Sequence, residues 1–488
     1  MSNQPQSTSM LKRDDPYSRR GRRHRVAMVC DFFHPRLGGV ENHIWSLSQH
    51  LIRQGHSVIV ITHAYEGYSG VHFFETSHGI QPLKVYYCPI LPMVDQDALP
   101  TFTATLPLLR WIFIREQINI VHSHQATSTM ANEAVVYASL MGLKSVYTDH
   151  SLFGFDDIAG VVLNRVLQTT LCTVNAAIAV SHACMDNLIL RAHLKPSDNR
   201  VSIIPNAIDA TKFTPDPSQR PTNNRIQVVV VSRLVYRKGV DLLVGIIPQV
   251  CHDLPHVDFL IGGDGSKLLD LQEMVERERL EERVKFLGAV PHKNVRNVLV
   301  QGHVFLNCSL TESFCIAILE AASTGLLVVS TNVGGVPEVL PPELIRLAPP
   351  SVPALVEQLT QAVAQQQGPH ALNAWQVHER IQSMYSWSRV AAETIHVYDQ
   401  ISLNDDYDGD QGHSLQSRVS RYYHALDGGL AGMVVALLAI ILSGWLRIVE
   451  WWQPRSQIDV VPDVWAKTST SSVPDADPGN EKAAQESR

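Results

Sequence analysis

Short apolar runs rich in β-branched residues alternate with helically spaced segments through most of this chain, and no other feature of the sequence restricts the fold as much. Residues 25–30, Arg-Val-Ala-Met-Val-Cys, form the first run. A loop with breaker residues, ending in Gly38 and Gly39, leads into Val40, Ile44, Leu47 and Leu51 at helical spacing; Gly55 stops that helix, and residues 57–62 resume the strand pattern. Runs at 118–122, 144–148 and 176–180 repeat it, each apolar on both faces as buried parallel strands require. The pattern predicts a doubly wound α/β domain over residues 25–213.

A stretch rich in proline and polar residues, 214–225, then interrupts the series, and Val228 to Val231 open a second one with strands expected at 258–261, 283–287, 303–306 and 326–330. Two Rossmann-like domains facing a cleft follow, the second over 226–385. A closing helix is expected at 386–402 and a linker at 403–427. From Gly428 to Leu446 there is no charged residue, a length close to the ~20 residues that cross a hydrocarbon core. Tyr422 and Tyr423 before it, and Trp445, Trp451 and Trp452 at its end, have the placing of interfacial aromatics, so 428–446 reads as one transmembrane helix.

The formal charge of −7 provides no global basic field and argues against nucleic acid as a partner. Positive charge is concentrated in a leader, residues 1–24, which is basic and poor in apolar side chains and is expected to be disordered. The leader has no apolar core of signal-peptide type. The domains are therefore expected in the cytosol, with a lumenal tail at 447–488. Seven cysteines, odd in number and without Cys-x-x-Cys spacing, imply neither a disulfide framework nor a zinc site.

Arg233 and Lys238 leave the C-terminal end of the second domain's first strand, the edge where open α/β sheets bind ligands. A guanidinium and an ammonium at that edge suit a diphosphate. Glu312 and Glu320 follow the strand at 303–306 and are expected on one helix, about 12 Å apart along its axis at 1.5 Å per residue, with the amides of Phe314 and Cys315 at its N-terminus. Gly38 and Gly39 occupy a strand-to-helix turn where a phosphate could approach the backbone, but their order lacks the Gly-x-Gly-x-x-Gly of dinucleotide enzymes. His122 and His124 alternate at a strand end, near Asp149-His150; with no carboxylate or cysteine completing a ligand set, they read as a hydrogen-bonding lining, and no metal is expected. Asp95-Gln-Asp97 and the Asp408 and Asp410 pair have metal-transferase spacing but lie in loop or linker sequence. Asn307-Cys-Ser309 is a formal glycosylation acceptor at the end of a core strand and is expected to go unused.

Through Gly-Gly-Val-Glu41, His124, Pro205-Asn-Ala-Ile-Asp209, Arg233, Lys238, Gly262-Gly-Asp-Gly265, Glu312, Glu320 and Gly334-Gly-Val-Pro-Glu338, the chain resembles the retaining, nucleotide-sugar-dependent glycosyltransferases of GT-B fold. More narrowly, residues 31–35, 62–65, 148–155, 232–239 and 299–303 look like the family of catalytic subunits of phosphatidylinositol N-acetylglucosaminyltransferase, the first enzyme of glycosylphosphatidylinositol (GPI) anchor synthesis. The resemblance implies transfer from UDP-N-acetylglucosamine, as donor substrate and without a cofactor, to phosphatidylinositol. It also implies anomeric retention, partner subunits, and a place at the cytosolic face of the endoplasmic reticulum membrane. Arg233 and Lys238 would hold the diphosphate, Glu320 the ribose, Glu312 the donor hexose and His124 a hexose hydroxyl. Glycine is common in relatives where Ser313 and Cys315 stand. Because the acceptor is a lipid, the first domain would face the membrane, with Leu152, Phe153 and Phe155, or the segment 106–115, as contacts; core packing is the better expectation for the latter. A phosphoinositide mannosyltransferase, or a non-catalytic scaffold that binds the UDP-sugar, would share the pocket.

Overall fold

The computed structural model describes residues 22–36, 38–76, 81–94, 97–101, 103–152, 158–195, 200–221, 223–368, 371–403 and 414–462. Most of the basic leader, Asp95 of the first Asp-x-Asp pair, Phe153 and Phe155, the pair at 408 and 410, and the tail beyond 462 lie outside the described residues.

The first sheet comprises β1 (Arg25–Val29), β2 (Ser57–His63), β3 (Gly70–Phe74) and β4 (Leu83–Cys88), then, after a small hairpin of β5 (Pro92–Val94) and β6 (Asp97–Ala98), β7 (Ile120–His124), β8 (Lys144–Asp149), β9 (Ala176–Ala179) and β10 (Val201–Ile203). Its eight strands run in the order β10-β9-β8-β7-β1-β2-β4-β3, parallel except where β3 meets β4. The second sheet holds β11 (Ile226–Val231), β12 (Val257–Gly262), β13 (Val284–Phe286), β14 (Val304–Asn307), β15 (Leu327–Thr331) and β16 (Ile345–Ala348), ordered β13-β12-β11-β14-β15-β16 and all parallel. Val228, Val230, Ile261, Val304 and Leu306 are fully or almost fully buried beneath helices, which is why their runs carry no polar alternation.

In each sheet the strand order reverses beside the first strand: β1 lies between β2 and β7, and β11 between β12 and β14. Such a reversal opens a crevice, because the loops leaving the two strands depart to opposite faces. The loop after β1 and the end of β7 flank one crevice; the loops after β11 and β14 flank the other.

The helix Trp387–Leu403 returns to the first domain, with Trp387, Val390, Val397 and Tyr398 in that domain's core. Within the expected linker, residues Leu415–Ala425 form a helix. Tyr422 is buried there, and Arg418 donates to the carbonyls of Ser139 and Leu140 (2.8 and 2.9 Å), a cation placed at the C-terminal end of the helix Thr129–Met141. The apolar helix runs Gly429–Trp452, longer than expected because Arg447 and Glu450 are accommodated in its last turns. Gly432, Ala436, Ala439, Leu446 and Val449 form its covered stripe; Leu430, Met433, Val434, Leu437 and Ile441 are exposed. Leu446 and Val449 meet the segment Leu106–Arg115, whose Leu106, Leu109, Ile112 and Phe113 are core residues. Beyond this helix Val461 N donates to Arg115 O (2.8 Å), so the last described residues lie against the first domain, whereas the sequence led to the expectation of a tail from 447 on the lumenal side, away from it.

Candidate active site

The helix Gly39–Arg53 begins at Gly38, whose backbone is extended (φ −150°), and has Glu41 in its first turn. A Cβ on Gly39 would lie 3.9 Å from Cδ1 of Ile316, the first residue of the helix Ile316–Ser323 in the other domain. The N-termini of two helices therefore approach one another across the cleft, an arrangement that favours an anion, although at the first of them the Glu41 carboxylate already accepts from its own backbone amide.

The loop after β11 lies on a backbone too close for side chains: Cβ atoms on Gly263 and Gly265 would collide with the carbonyls of Ser232 and Leu234, the residues flanking Arg233. Arg233 is exposed; its charge acts on Glu41 and offsets part of the upward push that burial gives that carboxyl. Lys238 is partly buried and donates to Glu312 Oε1. Burial pulls the Lys238 ammonium down, but the Glu312 carboxylate more than offsets this and leaves its pKa above the usual lysine range.

The expectation of two acids on one helix is corrected. Glu312 lies in the loop before the helix, which starts only at Ile316 because Cys315 takes a left-handed conformation (φ 68°) that breaks the helical path. This also gives a physical reason for glycine at that position in relatives. Phe314 is buried against Tyr385, with ring centroids 5.9 Å apart. Glu320 does lie within the helix, 8% exposed, with Oε1 3.0 Å from His292 Nε2. That hydrogen bond raises the His292 pKa above its ordinary value, against burial, which lowers it. The pair's contribution to stability is thus fully present below about pH 6.5 and is lost as pH rises through the higher folded-state value. The difference in melting temperature between the wild type and His292→Gln should be larger at pH 6 than at pH 8; an equal gap at both would refute the pairing.

His124 ends β7, fully buried, with Nδ1 3.2 Å from His150 Nε2 and Nε2 3.4 Å from Met28 Sδ. His122 points the same way and bonds Tyr398 Oη (2.6 Å) and Thr148 Oγ1 (2.7 Å). His43 Nδ1 is 2.8 Å from Asn206 Oδ1. Burial lowers the pKa of His43 to about 4, against the Asn206 hydrogen bond, and that of His122 to about 3, and holds His124 and His150 well below the usual value; neighbouring histidines add to the effect at the last three. The cluster is neutral at physiological pH and so adds no positive charge to that of Arg233 and Lys238. His43, His124 and His150 bring ring nitrogens within 4.8 Å of one another, close enough to hold a metal ion; a hydrogen bond joins His124 to His150, and His43 meets the His150 ring edge to face with centroids 4.6 Å apart. Asn307, the formal glycosylation acceptor, is buried and bonded to Ser330 and Ser309.

Several contacts at the cleft have no signal in the sequence. His292 has none, standing 28 residues from its partner. Ser313 Oγ donates to His150 O (2.6 Å), and Ser181 Oγ donates to Ser313 O (2.7 Å). Glu338 accepts from the amides of His182 and Ala183 (2.7 and 3.0 Å), capping the first-domain helix His182–Ala192 from the second domain. Glu338, His43's partner Asn206 and Glu41 all fall in motifs legible from sequence, but their partners do not.

The family described as PIGA (GPI anchor biosynthesis) matches residues 63–157, and the family described as glycosyl transferases group 1 matches residues 213–374. The phosphatidylinositol N-acetylglucosaminyltransferase subunit from Homo sapiens is 47% identical over 460 residues, covering 94% of this chain and 92% of the relative. The protein of the same name from Arabidopsis thaliana is 47% identical over 440 residues, covering 90% and 94% respectively. Among solved structures, sucrose-phosphate synthase from Thermosynechococcus elongatus matches with a TM-score of 0.64 at 19% identity, over 78% of this chain and 100% of that one. Anabaena HepE in complex with UDP and glucose matches with a TM-score of 0.59 at 18% identity, over 77% and 99%. The structural likenesses establish the two-domain GT-B fold.

Proposed function

Since the chain belongs to the PIGA family of phosphatidylinositol N-acetylglucosaminyltransferase subunits, glycosyltransferases of GPI-anchor biosynthesis, we propose that it transfers N-acetylglucosamine from UDP-N-acetylglucosamine to the inositol of phosphatidylinositol with anomeric retention. It would act as one member of a multi-subunit complex in the endoplasmic reticulum membrane, held there by the helix Gly429–Trp452, with both Rossmann-like domains cytosolic.

The observation that carries this reading is the convergence of Lys238 and Glu312, from loops after adjacent strands, at the N-terminus of the helix that carries Glu320. In the proposed step the bond from the anomeric carbon to the diphosphate oxygen breaks toward an oxocarbenium-like state. Arg233, Lys238 and the amides at the Ile316–Ser323 N-terminus stabilise the charge gathering on departing UDP. Lys238 would be shared between the diphosphate and Glu312, which holds the hexose; Glu320 takes the ribose hydroxyls. His124, neutral and fixed by His150 through Nδ1, would have to turn its Nε2 from the weak acceptor Met28 Sδ to a hexose hydroxyl, and would do so without competing for the anion. The inositol hydroxyl attacks from the face the diphosphate leaves, forming the new carbon–oxygen bond, and its proton passes to a phosphate oxygen of UDP. These groups supply the charge stabilisation without a metal.

The test is incubation of microsomes with labelled UDP-N-acetylglucosamine and phosphatidylinositol. A chloroform-soluble labelled product is expected, persisting within about twofold in EDTA, with the α configuration of the donor retained. Loss of product on chelation would remove the metal-free mechanism, and labelling from GDP-mannose instead would move the assignment to a mannosyltransferase.

A further inference from the structure

Ser313 spans the cleft. It follows Glu312 in the second domain, yet its hydroxyl donates to the carbonyl of His150 in the first (2.6 Å), and its own carbonyl accepts from Ser181 Oγ (2.7 Å), the residue that caps the first-domain helix His182–Ala192. Its neighbour Glu312 is held by the Gly335 amide, which donates to Glu312 O (3.0 Å), and by the ion pair with Lys238. His150 in turn lies 3.2 Å from His124. One continuous chain of contacts thus runs from the cation loop, through Glu312 and Ser313, to His124.

We propose that Ser313 is a positioning residue for the transfer: beside the Ser181 and Glu338 contacts that also cross the cleft, its hydroxyl ties the donor-side Glu312 loop to the strand end that carries His124 and His150 and sets the alignment of the two halves of the site. The proposal rests on the functional reading above. Lys238, Glu312 and Glu320, which would hold the diphosphate, the hexose and the ribose, all belong to the second domain, so the larger part of donor binding does not need the bridge. His124 belongs to the first, so the reacting geometry does. Misplacement of groups by a fraction of an ångström is costly in rate even when binding is unaffected.

The experiment compares Ser313→Ala and Ser313→Thr with wild type in the full chain in its membrane, measuring kcat, donor KM and melting temperature. Ser313→Ala is expected to lower kcat about 5- to 10-fold, the scale of one lost neutral hydrogen bond, with donor KM within about twofold and melting unchanged. Ser313→Thr, which keeps the hydroxyl, is expected to restore most of the rate. Wild-type kcat in Ser313→Ala overturns the proposal, as does a threonine variant equally slow at unchanged melting. A fall in melting temperature and donor affinity alongside kcat also overturns it, in favour of a purely structural role. Lys238→Ala run in parallel separates the two levels: if it too transfers normally, the functional reading fails; if it alone is inactive, only the role of Ser313 does.

Discussion

Lys238→Ala should lower kcat/KM for sugar transfer by about 10²- to 10³-fold, the range seen when one preorganised group facing developing negative charge is removed. Two effects add. The ammonium no longer meets the charge building on the diphosphate, and Glu312, whose side chain is only 12% exposed, loses its partner and is left as an uncompensated carboxylate beside an anionic donor. Relief of the second effect by Glu312→Gln is expected not to restore the rate, because the first persists. Lys238→Arg should recover activity only in part, since a planar fork cannot replace a compact ammonium in a site partly closed by Glu312. Steady-state kinetics with labelled donor decide the matter, and activity of Lys238→Ala within tenfold of wild type would remove this residue from the mechanism.

Gly239→Ala is expected to destabilise the second domain by at least about 3 kcal/mol, lowering its melting temperature by roughly 10 °C. Gly239 has φ +71°, a conformation that costs a residue with a Cβ about 1 kcal/mol, and the added carbon would lie inside the van der Waals surface of the Cys308 carbonyl oxygen. Both colliding groups are fixed by backbone, so no rotamer change relieves the contact. Cys308 is buried at the end of β14. Only separation of the cation loop from that strand makes room, and the separation moves Lys238 away from Glu312. Differential scanning calorimetry of the detergent-solubilised chain tests the first consequence and the transfer assay the second; an unchanged melting temperature would show that the loop yields elsewhere.

The elements were legible where burial on both faces or a helical apolar stripe left a regular pattern. The strands expected at 228–231 and 258–261, which run Ile226–Val231 and Val257–Gly262 in the structure, needed no tertiary information, because Val228, Val230 and Ile261 are apolar for a reason that acts locally, the covering of each sheet face by a helix. The helix Leu415–Ala425 is not legible in the sequence, because one buried residue, Tyr422, is too little to impose a period on a polar segment. The residues after Glu312 have helical spacing, which predicts a helix there, but spacing is blind to the left-handed turn at Cys315 that delays the helix by a turn.

Residue types, their spacing and the order of strands and helices along the chain thus came from the sequence itself: two βα series, a cation loop, two acids, a terminal apolar helix and the family they resemble. Which loops meet was decided only in three dimensions. A one-dimensional pattern specifies that a strand is buried, not which neighbour it pairs with. The placing of β7 beside β1 and of β14 beside β11 brings His124 to His43, on the helix that Gly39 begins, and Glu312 to Lys238. Pairing is set by hydrogen bonds between backbones far apart in sequence and by helices that fit on both faces, and those interactions leave no mark at either partner alone.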